Sequence, residues 1–477
     1  MNITRRSFVK SVLGAAAVSL APAWAARACF GQSSAPVREF RLSASRARVQ
    51  LGEGPAFWAW TYNGQVPGPE IRVKEGETVR VSLKNFLPEE TSIHWHGVPV
   101  PNPMDGVPGV TQSGVRPGET FLYEFEARPP GTYIYHSHAG YQLDQGLYGP
   151  LIIEPAGGNG PHDREYTLML EDWVMKDEGG RAETRRRSPM GMMGGMMGMR
   201  GGFGRAGAPL LEPFYDGYAV NGRLYPHLEP LEVRKGERVK LRLLNPSSAT
   251  IYDLQLAGHA MTITHTDGRP VAPLETDILR IGMGERYDVE FEADNPGSWL
   301  LSARETGLGE GRLRVPVRYR GSRAAEPAPP DFHSGRRFAA WWDLRSVEPT
   351  APSRVEAPGR FLSQTLSGGM HSPYWTINGQ VFPEVAPIRV ARGELLRLGY
   401  RNHSMMPHPM HLHGHFFRVV HPALPRDRWI QKDTVIVDPM QRVEIEFVAD
   451  NPGAWFHHCH NLYHMNAGMA NVVTVEA

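Results

Sequence analysis

The chain has 477 residues, which is too long for one ordinary domain, so two to four are expected. Its 41% apolar and 21% charged content are globular values, with enough hydrophobic residues for several cores. A formal charge of +1 gives no reason to expect a nucleic-acid partner.

In chain order, the first 25 residues carry Arg5, Arg6 and Lys10 and no acid; removing them takes the formal charge from +1 to −2. "TRRSFVK" is followed by the apolar run "SVLGAAAVSLAPAWA", which ends in Ala23-Trp24-Ala25, the pattern of a cleavable export signal. The run is too short for a permanent membrane anchor. Arg5-Arg6 directly before Ser7-Phe8-Val9-Lys10 resembles the twin-arginine address, which carries proteins already folded and suits one whose cofactor is inserted before export. The expected destination is the periplasm, the cell envelope or the outside of the cell. Cys29 is a weak lipidation candidate, since Ala26 stands where leucine is usual.

The rest of the chain repeats itself three times. "YNGQVPGPEIRVKEGETVRVSLKN" (62–85), "VNGRLYPHLEPLEVRKGERVKLRLLN" (220–245) and "INGQVFPEVAPIRVARGELLRLGYRN" (377–402) share Asn-Gly, then Gly-Glu, then Asn. A second block recurs as "YEFEARPPGTYIYHSH" (123–138), "VEFEADNPGSWLLSAR" (289–304) and "IEFVADNPGAWFHHCH" (445–460). Apolar residues alternate with polar ones, as at Val79, Val81 and Leu83, between Pro/Gly turns. This predicts an all-β chain of three consecutive β-sandwiches, at 36–160, 161–325 and 335–477, joined by Pro-rich linkers.

Aligning the copies locates the chemistry. Nine residues after the shared Asn, the first copy reads His94-Trp95-His96 and the third His411-Leu412-His413, but the second reads Leu254-Gln255-Leu256. In the later block the first copy has His136-Ser137-His138 and the third His458-Cys459-His460, where the second has Ser302-Ala303-Arg304. On a strand, i and i+2 face the same way. Four His-x-His pairs therefore bring eight imidazoles to one cavity if domains 1 and 3 pack face to face. Eight ligands suit about three ions at two to three ligands each.

Cys459 is the middle residue of such a pair, so its sulfur points away from the cluster. With His464 and Met469, at offsets +5 and +10, and one further histidine it makes the donor set of a blue-copper site: two imidazoles, a thiolate and a weak axial thioether. His408, three residues before His411, is the best candidate for the missing ligand. Zinc fits less well, because structural zinc sites prefer several cysteines. The cysteine then links a lone copper to the cluster through His458 and His460.

The segments "HWHG", "HSH", "HPMHLHGH" and "HHCHNLYHMNAGM", in that order, resemble the four copper motifs of three-domain multicopper oxidases, the family of the laccases and bacterial cuprous oxidases. The resemblance covers essentially the whole mature chain. It implies three cupredoxin-like Greek-key domains and four copper ions: one type 1, one type 2 and a type 3 pair. By position, His408, Cys459 and His464 match the type 1 ligands with Met469 axial. His94 and His411 match type 2; His96, His136, His138, His413, His458 and His460 match type 3. Asp105, in "MDGVPG", matches an acid that relatives place near the type 2 copper; its plain reading is a turn-forming Asp-Gly. Some bacterial relatives carry a glutamate just after the second type 1 histidine, where this chain has Met465.

His259 and His265, in the middle copy, are expected to be structural or surface residues. His403, His415, His421 and His457 match no ligand position and are expected to pack or support. "MGMMGGMMGM" (190–199) holds six of the 19 methionines. It reads either as a flexible Gly-rich loop or as a soft-ligand segment for Cu(I). The expected activity is that of an exported, monomeric oxidase. It takes electrons from Cu(I), and more slowly from phenols or aromatic amines, and passes them to O2. The alternatives are a laccase-type phenol oxidase with an incidental Met segment, and a non-enzymatic copper-sequestering protein.

Overall fold

The computed structural model describes residues 36–158, 160–175, 212–306, 311–322, 336–347, 359–369 and 372–476, with positions 327, 330 and 332. The export signal (1–25), Cys29 and the Met-rich segment (190–199) lie outside the described residues. Residues Val37–Ala477 form one compact unit.

Each copy of the repeat is a pair of facing sheets. The first pairs a four-stranded sheet (Phe57–Tyr62, Val37–Val49, Thr78–Asn85, Thr120–Glu126) with another (Ile71–Lys74, Tyr148–Glu154, Gly131–His136, His94–His96). Among the described residues, the second has sheets of seven and six strands, and the third of six and five. In every copy the opening strand runs parallel to the strand that ends at or just before the shared Asn: Val37 with Thr78, Arg164 with Val239, Arg360 with Leu396. The other pairings in that sheet are antiparallel, so the first strand arrives by a crossover, as in a Greek key. The chain is all-β, three cupredoxin-like sandwiches in a row. Phe338–Ala339, inside the limits expected for the third domain, pairs with Ile278–Ile281 and so completes the edge of the middle domain's six-stranded sheet.

The alternation read from the sequence becomes burial: Val79, Val81 and Leu83 are fully enclosed. One apolar core runs continuously through the middle and third domains, and the first domain has its own. The shared residues are now explained. Asn63, Asn221 and Asn378 take positive φ (56°, 50° and 54°), and each is followed by a glycine with positive φ. This is the left-handed pair that a tight hairpin needs. Their side chains accept from Ser43, Met169 and Thr365 N–H respectively.

The second shared Asn is a clamp. Asn85 Nδ2 donates to the Glu89 and Val115 carbonyls, Asn245 Nδ2 to those of Thr250 and Ile281, and Asn402 Nδ2 to those of Met406 and Val437. In each copy its Oδ1 accepts the N–H two residues on. Three buried amides thus hold three equivalent loops, and in the first and third copies that loop leads into the His-x-His strand.

Candidate metal centre

The first donor group lies inside the third domain. His408 opens the strand His408–Leu412, and Cys459 closes the neighbouring strand Gly453–Cys459. After Cys459 the chain turns into the short helix Leu462–Asn466, where Asn461 Oδ1 accepts from Tyr463 and His464 N–H. The turn brings His464 back beside the sulfur. Sγ of Cys459 is 3.6 Å from His408 Nδ1 and 3.7 Å from His464 Nδ1, and the two nitrogens are 3.1 Å apart. A metal ion bonded at about 2.0 Å to nitrogen and 2.3 Å to sulfur spans such a triangle.

Met469 is fully buried; its carbonyl accepts from Cys459 N–H and its N–H donates to His464 C=O, so it sits at the same corner. Burial pushes the His408 imidazole down to about 3 and His464 well below the ordinary range, so both rings are neutral and hold lone pairs. Burial also pushes the Cys459 thiol far up, which a bound cation would reverse. Trp375 covers the pocket, with its ring 3.9 Å from the His464 ring centroid.

The second group lies between the first and third domains. His94 pairs across strands with His136, and His411 with His458. The eight imidazoles fall into sets that converge on points: His96, His136 and His460; His138, His413 and His458; and His94 with His411, joined by His96. The facing nitrogens are close, with Nε2 of His94 and His411 3.4 Å apart, and Nε2 of His458 3.1 Å from that of His413 and 3.3 Å from that of His138.

Backbone carbonyls set the tautomers. Nδ1–H of His94, His411, His136 and His458 donates to the carbonyls of Asp105, Asp433, Ser137 and Cys459, at 2.8, 2.8, 3.0 and 2.9 Å, leaving Nε2 bare toward the cavity. His96 is reversed: Nε2 meets the Asp433 carboxylate at 3.1 Å, and Nδ1 is buried without a protein partner. Nε2 of His136 and both nitrogens of His460 are also buried and unpartnered. Buried lone pairs left without a partner are costly. With desolvation holding His96, His136, His138, His413, His458 and His460 well below their ordinary range, this donor set fits metal ions.

Asp105 stands at a turn and beside the cluster histidines. It follows the short 3-10 turn Asn102–Met104, and Gly106 takes φ 86° where a Cβ would strike the Ile93 carbonyl. Its carboxylate is fully buried, 3.0 Å from His413 Nδ1 and 3.2 Å from His94 Nδ1. Met465 is half-buried against apolar neighbours and brings no acid to the cluster. The second acid at the cluster is Asp433, which spacing did not single out; the available signal was the charged pair Lys432-Asp433 just ahead of the apolar strand Thr434–Val437.

Among the described residues, the other histidines stay out of both groups. His457 is buried against the Tyr400 hydroxyl (2.8 Å), His415 packs on Trp455, and His259 meets the Tyr319 hydroxyl at 2.7 Å. His265 is half-buried beside Thr264, His403 is exposed and His421 half-exposed.

In the middle domain the equivalent strands are one residue out of step with the count from Asn245. Leu254 pairs with Ala303 and Gln255 with Ser302. Ser302 aligns with His458, so Gln255, ten residues after the Asn, is the counterpart of His411, not Leu254. One extra loop residue accounts for the shift, because each step along a strand reverses the face presented. No imidazole stands at these positions.

Fold and donor groups together define a cupredoxin-type copper protein. Family models described as multicopper oxidase match residues 43–158, 164–317 and 355–477. The chain is 37% identical to the multicopper oxidase MmcO of Mycobacterium tuberculosis, over 90% of this chain and 85% of that one. It is 27% identical to copper resistance protein A of Escherichia coli, covering all of both chains. Among solved structures, a multi-copper oxidase from Pseudomonas Thermotolerans superposes with a TM-score of 0.70 at 28% identity, over 93% of this chain and 100% of that one. Fet3p, a multicopper oxidase that functions in iron import, shares the fold with a TM-score of 0.78 at 24% identity, over 92% and 90%. The chain belongs to the multicopper oxidase family: it is an oxidoreductase with copper cofactors.

Proposed function

We propose that the protein is an exported, monomeric three-domain multicopper oxidase of copper homeostasis, oxidising Cu(I) and, more slowly, phenols or aromatic amines, with O2 as acceptor. The observation that carries the oxidase reading is the intact pair of donor groups joined by one strand, with Cys459 between His458 and His460. Four copper ions, one type 1, one type 2 and two type 3, match the ligand sets. His408, Cys459 and His464, with Met469 beside them, would hold the first. His94 and His411 hold the second. His96, His136 and His460 hold one of the pair and His138, His413 and His458 the other. The domain limits 36–160, 161–325 and 335–477 suit this division. Bound copper would supply one-electron transfer and the reduction of O2 to water.

The chain's own residues do the rest. Cys459 joins its sulfur to both flanking histidines through single peptide units. The Asp105 carboxylate, buried against His413 and His94, would hold and pass a proton. Trp375 keeps water from the rings of His408 and His464. The Cu(I) preference draws support from the six methionines of 190–199 and from relatives named for copper resistance. A twin-arginine route to the periplasm rests on Arg5-Arg6 and the apolar run behind them.

Relatives named laccase favour a second reading, a phenol oxidase with an incidental Met segment. Kinetics of the copper-loaded protein with Cu(I) and with a phenol, side by side and with and without residues 190–199, decide between them. A selective fall in kcat/KM for Cu(I) on deletion supports the first reading; no change in either supports the second.

A further inference from the structure

The middle domain has no histidine at the repeat positions, yet it forms a wall of the cluster. In the turn Gly282–Glu285, Gly284 takes φ 80°, and a Cβ there would lie 2.8 Å from His460 and 2.9 Å from His96. Two residues on, the fully buried Arg286 reaches across the domain boundary. Its Nη1 and Nη2 donate to the two carboxylate oxygens of Asp433 at 2.8 and 2.6 Å, a bidentate pair. Its Nε donates to the Thr132 carbonyl of the first domain and Nη1 also to the Gly284 carbonyl, so one guanidinium is pinned to all three domains.

Asp433 passes this fixity on. Its Oδ1 accepts from His96 Nε2 at 3.1 Å, and its backbone carbonyl accepts from His411 Nδ1 at 2.8 Å. A second middle-domain acid, Asp267, holds the same backbone: its Oδ2 lies 3.3 Å from Asp433 N and 3.2 Å from Thr434 N, and its Oδ1 accepts from Arg286 N. The reversed tautomer of His96 follows from this arrangement, because the Arg286-bound carboxylate keeps the proton on Nε2 and turns Nδ1 to the cavity.

We propose that Arg286 of the middle domain is a positioning residue for the cluster. Through Asp433 it fixes ring orientation and tautomer in His96 and His411, and so governs how tightly the ions served by those two imidazoles are held. The inference rests on the ligand assignment proposed above. Partners that orient metal-binding histidines typically govern affinity about 10- to 100-fold. The middle domain thereby has a function in the chemistry although it holds none of the ligands.

Arg242 provides the contrast. It too is a buried middle-domain arginine that crosses to the first domain, bonding Thr132 Oγ1, Asp288 and Glu165, and none of its bonds reaches a cluster histidine or its carboxylate. The test measures copper per chain, copper affinity by chelator competition, and the type 2 electron paramagnetic resonance signal. It compares the parent protein with R286K, R286Q and R242Q.

Lysine keeps the charge but cannot form the bidentate fork. R286K should bind cluster copper about 10- to 100-fold more weakly. Its type 2 signal should shift or fade and its blue band should stay unchanged, with a larger loss in R286Q. R242Q should keep its copper and its signal at a lower melting temperature. Should R286Q not accumulate as folded protein, R286K decides alone. An R286K protein that holds copper as tightly as the parent, with an unaltered type 2 signal, overturns the proposal. So does an equal loss in R242Q. If the parent itself takes up no cluster copper, it is the ligand assignment that fails.

Discussion

The middle domain and the third domain are built alike and used differently. Both have the left-handed Asn-Gly hairpin, the buried Asn clamp and the parallel opening strand. The third places His411 opposite His458 where the middle places Gln255 opposite Ser302. Scaffold residues and site residues are therefore separable: the clamp serves the sandwich whether or not the strand beyond it carries imidazoles. What the middle domain retains at the shared cavity is a backbone turn and an arginine.

The sharpest way to break this contrast is in the third domain. Cys459→Ser should abolish the intense visible absorption and the oxidase activity together, while folding and cluster copper persist; an absorption spectrum with metal analysis checks this. A variant that stays blue would remove Cys459 from the site. Next, His94→Ala or His411→Ala should lose type 2 copper and reduce O2 consumption to background but keep the blue band, since neither residue lies in the Cys459 pocket. Normal oxygen uptake in either variant would collapse the division into two sites.

A third experiment works on the middle domain. Gln255→His with Ser302→His places two imidazoles in the register of His411 and His458, but with no second pair facing them. The copper content should remain that of the parent, and a gain of one tightly bound ion would show that the scaffold alone makes a site. A smaller effect compares the clamps. Asn245→Ala and Asn402→Ala each strand buried carbonyls and should each cost about 1–3 kcal/mol by thermal or chemical unfolding. Only Asn402→Ala should also disturb the blue band, because that loop carries Ser404, whose hydroxyl meets His408 Nε2 at 2.8 Å.

The mildest effect concerns acid. Burial alone would raise the Asp288 carboxyl, but Arg242 and Lys240 hold it well below the usual carboxylate range. Its contribution is present above the unfolded value of about 3.9 and is lost as pH falls from there toward the folded value. Unfolding measured between pH 5 and 3, roughly the window around that unfolded value, should show a shallower loss in Asp288→Asn than in the parent.

Much of this was legible because repetition lets a chain be compared with itself. The strands follow from alternation around Val79–Leu83 and the turns from Asn-Gly, and His-x-His needs only the two-residue period of a strand to point both rings one way. Two things were hidden. The one-residue slip at Leu254 was invisible, because counting from Asn245 assumes equal loops and pairing register is a property of two strands. Arg286 and Asp433 were hidden because they are 147 positions apart in sequence and meet only when all three domains close.

Gly284 bears on how far these repeats can be interchanged. A substitute middle domain that restored the sandwich and its Asn clamp would still meet the constraint of this turn. Any side chain at that single position would still collide with His460 and His96. Chimaeras built by exchanging whole sandwiches should thus need one methyl group's worth of free space at that turn as well as the arginine two residues on, and a recombination library screened for copper content should keep both while most of the donor's surface varies.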